Sequence, residues 1–328
     1  MHLLCDIGTS NFRAIVEGKD LIVNEPCVMA RDKQNSLTIG TQAQLMMGRN
    51  SDSLEIFSPV EAGGIRNIEA VVEVIRYCAD RLTSSRLVRK FTITLSAPWG
   101  LTQVEKQAIE DAAKLAGARR VQIVNASVAA ALGADLPVDK PAGYVVVNLG
   151  GGVTEVALLS MRGIVACQAI RSGGQALNLA IVDRVRKDYC FLMGLQTTET
   201  LKRQLCQDTE ISGIEVRGRD LTSGLPRSLF VPRSVVDEQM VAYSEMIIEL
   251  VGQVITECPP ELVGDIMQHG MVLVGGGANC TSVVDRLMDR LDVPVVPADD
   301  PDTRVVEGLL KVQMADGERS KLDRRRWA

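Results

Sequence analysis

Leu3-Leu4-Cys5-Asp6-Ile7-Gly8-Thr9-Ser10-Asn11-Phe12-Arg13-Ala14-Ile15-Val16 opens the chain. Its pattern returns as Tyr144-Val145-Val146-Val147-Asn148-Leu149-Gly150-Gly151-Gly152-Val153-Thr154-Glu155-Val156-Ala157-Leu158-Leu159-Ser160. In both stretches a short β-type run meets a glycine-containing turn and a second β-type run follows, the signature of a hairpin. Laying Cys5-Asp6-Ile7-Gly8 on Val147-Asn148-Leu149-Gly150 gives an offset of about 142 residues, the size of one domain. A chain of 328 residues has room for two such units. Leu136-Pro137 to Pro141-Ala142-Gly143 punctuates the sequence between them and marks the boundary.

Strands and helices alternate outward from both hairpins. Residues 68–82 carry Ile68, Val71, Val72, Val74, Ile75 and Cys78 at helical spacing. Phe91 to Leu95 reads as a strand, and Thr102-Gln-Val-Glu105 as a capping box opening a helix that stops at Gly117. Val121 to Val124 is a strand, and Ser127 is placed to cap an Ala-rich helix ending at Gly133. In the second half, helices are expected over 175–189, 198–206, 234–258, 281–291 and 303–315. Pro259-Pro260 stops the long one. Strands fall at 271–274 and 293–297, and Thr222 to Pro226 turns a hairpin. This alternation predicts an α/β architecture.

Composition narrows the function. Hydrophobic residues are 46%, charged residues 23% and the net charge is -5, so the chain is globular and lacks a basic nucleic-acid footprint. Aromatics at 3% supply few base-stacking platforms. The N-terminus reaches Asp6 at once, which argues against an export signal. The eight cysteines contain no C-x-x-C pair and are expected as reduced core thiols. Two histidines, His2 and His269, are too few for a zinc site or a Ser-His-Asp triad.

A third glycine turn, Gly275-Gly276-Gly277-Ala278, follows the strand Met271 to Val274. Glycine lets backbone N–H groups approach an anion, and successive N–H groups form a nest for phosphate oxygens. Each turn alone is equally an ordinary tight turn. Three of them, spread over both halves, point to phosphates held between two domains. Walker A and G-x-G-x-x-G patterns are absent. Asp6, next to the first turn, suits a magnesium ion bound through water.

Asp6-Ile-Gly-Thr-Ser-Asn11 resembles the first phosphate motif of the actin-like ATPases. From about residue 3 to 315 the chain is similar to the MreB family of bacterial actins. The matching stretches include Val23-Asn-Glu-Pro26, Ala97-Pro98 to Glu105-Lys106, Ala129-Ala-Ala-Leu-Gly133 and Gly150-Gly-Gly-Val-Thr-Glu155. They continue through Ile170-Arg-Ser-Gly-Gly174, Val216-Arg-Gly-Arg-Asp-Leu221, Pro259-Pro-Glu-Leu262 and Val274-Gly-Gly-Gly-Ala278. The resemblance implies an actin-like ATPase fold: two domains with ribonuclease H-like cores and ATP or ADP with Mg²⁺ in the cleft. Domain I would cover 1–139, with an insert at about 29–66 and the helix 303–315 packed back onto it. Domain II would cover 140–302, with an insert at about 179–239, leaving 316–328 as a flexible basic tail. Thr9, Ser10 and Asn11 would meet the β- and γ-phosphates, with Gly8 in the same turn. Gly150, Gly151 and Gly152 would form the second phosphate loop. Glu199 and Lys202 would contact adenosine, as would the loop Gly275, Gly276, Gly277, Ala278 and Asn279. Without the resemblance, Glu199 and Lys202 read as a solvated (i, i+3) pair.

Several residues depart from the family. Asn148 stands where Asp is usual, which weakens Mg²⁺ binding. Asn125-Ala126-Ser127 replaces Glu-Glu-Pro, whose acid activates the attacking water, and leaves Asn125 at a degenerate catalytic position. Gln175 and Asn178 replace acids, and Val153 replaces a Thr. Binding with weak or absent hydrolysis is the expectation. Family members touch membranes through an N-terminal amphipathic helix or a small apolar loop. This chain starts at its first strand. The loop corresponds to Ser84 to Lys90, with Leu87 and Val88 among Arg81, Arg86, Arg89 and Lys90, a mixture that suits anionic lipid as well as a solvated loop. The implied protein is cytoplasmic, peripheral to the inner face of the cell membrane. It assembles with itself into protofilaments, works with cell-elongation or morphogenesis proteins on cell shape and cell-wall synthesis, and binds no nucleic acid. The alternative is a non-polymerising or co-polymerising pseudo-ATPase adaptor of the same fold. A small-molecule kinase of the superfamily would need an acid for the acceptor hydroxyl and larger inserts, which are not evident.

Overall fold

Both hairpins form, and each seeds a five-stranded sheet. The structure, a computed structural model, describes residues 1–18, 23–49, 53–82 and 91–325, with side chains as far as residue 314 (residue 82 excepted). In the first sheet β1 (His2–Ile7), β2 (Asn11–Val16), β3 (Val23–Pro26), β4 (Phe91–Ala97) and β5 (Ala118–Asn125) lie in the order β5-β4-β1-β2-β3. In the second, β6 (Tyr144–Leu149), β7 (Thr154–Ser160), β8 (Gly163–Ile170), β9 (Met271–Val274) and β10 (Val295–Pro297) lie in the order β8-β7-β6-β9-β10. The two orders are the same. In each sheet the first three strands are antiparallel and the last two run parallel to the first. Parallel neighbours need crossovers, supplied by Gln103–Leu115 between β4 and β5 and by Thr281–Leu291 between β9 and β10.

The central strands are buried on both sides, and their period-2 alternation divides the core. On β6, Val145, Val147 and Leu149 join the cluster beneath the helices of the second half, whereas Tyr144 and Val146 face an inner layer. On β1, Leu3 and Cys5 face outward into the first half's own core, and Leu4 faces the same inner layer. That layer holds the helices Ala126–Gly133 and Arg304–Arg325, packed between the sheets. Their approach is close because small residues meet: a Cβ on Gly133 would lie 1.8 Å from the Arg304 carbonyl oxygen, and one on Gly308 would lie 1.7 Å from that of Ala129.

The segment 29–66 folds as a three-stranded sheet (Met29–Asp32, Leu37–Ile39, Leu54–Phe57) with the small hairpin Val60–Glu61/Gly64–Ile65. Phe191–Leu192, Gly213–Asp220 and Pro226–Pro232 make a second three-stranded sheet. The capping box at Thr102 is present, with Thr102 and Glu105 each accepting from the other's backbone N–H. Two other caps differ from the sequence reading. The Ala-rich helix is capped by Asn125, not Ser127: the Asn125 carbonyl accepts from the N–H groups of Ser127 (2.9 Å) and Val128 (3.2 Å). The long helix Arg233–Thr256 starts after Pro232 with no side-chain cap at Ser234. A helix the sequence reading missed, Pro260–His269, starts at the proline pair, since Pro fits the first helical turn. The last helix runs to Arg325, ten residues past the expected end and through most of the segment expected as a tail.

Candidate functional site

Equivalent positions in two equivalent sheets bring the two hairpin turns face to face. A Cβ on Gly151 would lie 2.0 Å from the Ser10 hydroxyl oxygen, and one on Gly152 would lie 2.2 Å from that of Thr9. Glycine is required here by space. The first turn is tied down by its own Gly8 N–H to Asn11 carbonyl bond (2.9 Å), and the second by Gly150 N–H to Val153 (3.0 Å). The helix Gly174–Tyr189 starts against the second turn, where Gly174 and Gln175 donate their N–H groups to the Gly150 and Gly151 carbonyls at 3.1 and 2.8 Å. Above the turns lies a cavity of about 450 Å³, lined by both of them, a size suited to a small-molecule ligand.

The floor of the cavity carries two cross-strand pairs. Asp6 is opposite Arg13 on the first hairpin, and Asn148 is opposite Glu155 on the second. Asp6 accepts from the Ser96 hydroxyl at 2.5 Å. Burial pushes its carboxyl up, and the Ser96 hydrogen bond and the Arg13 charge oppose the rise. Arg13 Nη2 reaches Asp302 at 3.1 Å, while its buried Nε has no partner. Glu155 is 1% exposed and accepts from the Trp99 N–H (2.6 Å) and the Asn148 amide (3.2 Å). Burial nevertheless drives its carboxyl up to about 7, because desolvation, with the nearby Asp6 charge adding to it, disfavours the ion more than its hydrogen bonds favour it. Asp6, Asn148, Thr9 and Ser10 offer oxygen donors only, a set that fits a hard divalent cation held through water. Among the described residues there is no cluster of three metal-ligating side chains.

Beside the start of the helix Gly174–Tyr189, in the cavity wall, stands a half-buried ion pair. Lys202 donates to Glu199 (2.7 Å) and to the Gly174 carbonyl (3.1 Å). Glu199 also accepts from Asn178 and Arg203, each at 2.7 Å. Burial lowers the Lys202 ammonium, with Glu199 only partly offsetting it. Burial also pushes Glu199 up, but Lys202, Asn178 and Arg203 outweigh that and hold it below the usual range. The cavity is lined as well by Gly275, Gly276, Gly277, Asn279, Tyr243, Met240, Cys206 and Cys280. The last two correct the expectation of eight reduced thiols: Cys206 and Cys280 are paired, with Cα atoms 4.7 Å apart, and the other six cysteines are free.

Comparison with known proteins agrees with this geometry. The profile of the MreB/Mbl protein family matches residues 1–320. The chain belongs to the MreB/Mbl family. It is 35% identical over 316 residues to the cell shape-determining protein MreB of Escherichia coli K12, covering 93% of this chain and 91% of that one. Against the cell shape-determining protein Mbl of Bacillus subtilis 168 the identity is 33% over 301 residues, 90% of each chain. Among solved structures, MreB5 of Spiroplasma citri bound to AMPPNP superposes with a TM-score of 0.92 at 28% identity over 98% of both chains, and its ADP-bound form matches equally. A MamK double helical filament shares the fold at TM-score 0.79 and 17% identity, over 96% of this chain and 99% of that one. The fold is that of the actin-like ATPases.

Most residues assigned by likeness to MreB meet in one place. Asp6, Gly8, Thr9, Ser10, Asn11, Asn148, Gly150, Gly151, Gly152, Glu199, Lys202, Gly275, Gly276, Gly277 and Asn279 all line the cavity. Ala278 does not; it is buried in the core behind the loop. Asn125 does not either, because its carbonyl is spent on the helix cap, and Ala126 presents itself to the cavity instead. Leu87 and Val88 lie outside the described residues. Asn178, which stands where the resemblance implies an acid, donates to Glu199, which an acid there could not do while ionised. Arg13 and Glu155 were missed as site residues although the hairpin register held the signal: each stands opposite a residue already singled out. Tyr243, Asp302 and the cysteine pair come from distant segments and left none.

Proposed function

We propose that this chain binds ATP and ADP, with Mg²⁺, in the cavity between residues 1–139 and 140–302 taken as two actin-like domains. It polymerises into protofilaments that organise cell shape and cell-wall synthesis. The observation that carries the reading is the interlock of Thr9 and Ser10 with Gly151 and Gly152, with the Glu199–Lys202 pair in the wall of the same cavity. Two glycine turns facing each other supply N–H groups to phosphates from both sides. The Glu199–Lys202 pair in the wall of that cavity supplies donors and acceptors to the nucleoside. Nucleotide-bound MreB5 and the MamK filament support this reading by likeness.

Hydrolysis is weak or absent in this proposal. Ala126 faces the cavity without a carboxylate, Asn125 is engaged as a cap, and Asn148 carries no charge. Asp6 would hold the cation through water, and Leu87 and Val88 would touch the inner face of the cell membrane, with filament avidity adding to a small insertion. No helix among the described residues is long and apolar enough to cross a membrane. The test is phosphate release from Mg-ATP at micromolar protein with anionic liposomes, read beside fluorescent-ADP binding and pelleting. Binding and pelleting without release is the expected result. Release well above a no-protein control overturns the impaired-hydrolysis reading, and absence of nucleotide binding overturns the whole.

A further inference from the structure

We propose that Cys206 and Cys280 form a thiol–disulfide exchange site in the wall of the cavity, and that closing the bridge slows nucleotide release. The placement is set by more than the sulfurs. Cys206 ends the helix Leu195–Gln207, which carries Glu199 and Lys202, and Cys280 directly follows the loop Gly275–Asn279. The Thr281 hydroxyl donates to the Cys206 carbonyl at 2.7 Å, tying the two backbones together whatever the state of the thiols. The Cα separation of 4.7 Å lies within the range a bridge requires. Both residues are almost buried, at 7% and 6% exposure, yet both line the cavity, so a small reagent reaches them through the ligand's own opening.

The two sulfurs are not equivalent. Cys280 sits at the N-cap of Thr281–Leu291, and its Sγ lies 3.2 Å from the Ser282 hydroxyl. A helix N-terminus and a hydroxyl donor both stabilise a thiolate, which makes Cys280 the nucleophile. Against a small disulfide RSSR, the Cys280 thiolate attacks one sulfur, forms a mixed disulfide and expels one RS⁻. Cys206, on giving up its proton, attacks the Cys280 sulfur, forms the Cys206–Cys280 bond and expels the second RS⁻. The protein thiols lose two electrons and two protons, and RSSR becomes two RSH. The bridge then joins the Glu199–Lys202 helix to the 275–279 loop, the two walls that must separate for a nucleoside to leave.

The coupling to nucleotide rests on the proposed function; the chemistry at the thiols does not. The experiment takes the full chain, fully reduced or treated with glutathione disulfide, and counts thiols after denaturation. Loss of two of the eight, with the bridged Cys206–Cys280 peptide found by mass spectrometry, is expected; eight thiols, or any other pairing, overturns the site. Fluorescent-ADP release is then followed by stopped flow. The oxidised protein is expected to release it at least about threefold more slowly than the reduced one, as a preorganised wall predicts. In Cys206→Ser and in Cys280→Ser, whatever the basal release rate of each, oxidant should leave that rate unchanged. A bridge that leaves the release rate unchanged overturns the coupling. Failure of the reduced protein to bind nucleotide refutes the proposed function, while the thiol count still stands by itself.

Discussion

Replacing Glu155 with glutamine should change how the stability of the ligand-free protein depends on pH. The Glu155 carboxyl rises from its ordinary 4.5 to about 7 in the folded chain. The folded value lies above the unfolded one, so protonated Glu155 favours the native state. That contribution is fully present below about pH 4.5 and is lost as pH rises through about 7. Its full size is about 3 kcal/mol, from 1.36 kcal/mol per pH unit. Near pH 5.3, the isoelectric point, proteins carry little net charge and associate, so the useful window is pH 6 to 8. Within it the wild type should lose about 1.3 kcal/mol that Glu155→Gln keeps. Glutamine preserves the acceptor for the Trp99 N–H. Its amide nitrogen faces Asn148, whose own amide must turn over to accept from it. That turn costs the same at every pH, so the test is the change in the difference and not its absolute size. Urea unfolding of both proteins at pH 6 and pH 8, at fixed ionic strength, measures it, and titrating groups that do not interact with Glu155 cancel. An unchanged difference between the two pH values would refute the argument that Glu155 is held near neutrality by burial.

Three further outcomes are expected. Gly151→Ala places a Cβ 2.0 Å from the Ser10 hydroxyl oxygen and should weaken fluorescent-ADP binding by at least about tenfold, with the circular dichroism spectrum unchanged. Gly308→Ala puts a Cβ 1.7 Å from the Ala129 carbonyl, forces the two inner helices apart and should cost about 1–3 kcal/mol in urea unfolding. Asn148→Asp sets a second carboxylate against Glu155 in place of the 3.2 Å amide hydrogen bond; like charges disfavour each other, so the ligand-free protein should lose stability at pH 8 and regain it on adding Mg²⁺, as thermal unfolding with and without the ion would record.

What the sequence disclosed was whatever is written locally. The hairpins of 3–16 and 144–160 are local, and their offset exposed a repeat that the sheet order bears out. Thr102-x-x-Glu105 is also local, and the capping box formed. Choosing Ser127 over Asn125 as a cap failed because both residue types cap well, and only the end of β5 decides which one meets the free N–H groups. Pro259-Pro260 was read as a stop, but the same pair also starts a helix. The Cys206–Cys280 pair joins residues 74 apart in sequence, and no spacing rule links them. The cavity's composition was legible through the resemblance, whereas Asp302, which meets Arg13 from a distant segment, required the tertiary contact.

The duplicated hairpins carry different pairs at one equivalent position, and under the proposed function that difference bears on both binding and hydrolysis. In the first half an acid faces a base: Asp6 is opposite Arg13 and takes the Ser96 hydroxyl, so its charge is offset on two sides. In the second half an amide faces an acid: Asn148 is neutral, and Glu155 sits near its titration midpoint at neutral pH. The floor beneath the glycine turns therefore carries little net negative charge. Bringing a polyphosphate into a low-dielectric cleft is opposed by every uncompensated carboxylate there, so this arrangement favours the bound anion even where the cation is held weakly. Under the proposed function the same arrangement weakens turnover, because a neutral amide at Asn148 anchors a cation less firmly than a carboxylate does. Under the proposed function, retention of nucleotide and weak turnover are therefore not two separate departures from the family. They follow together from where the chain keeps its carboxylates.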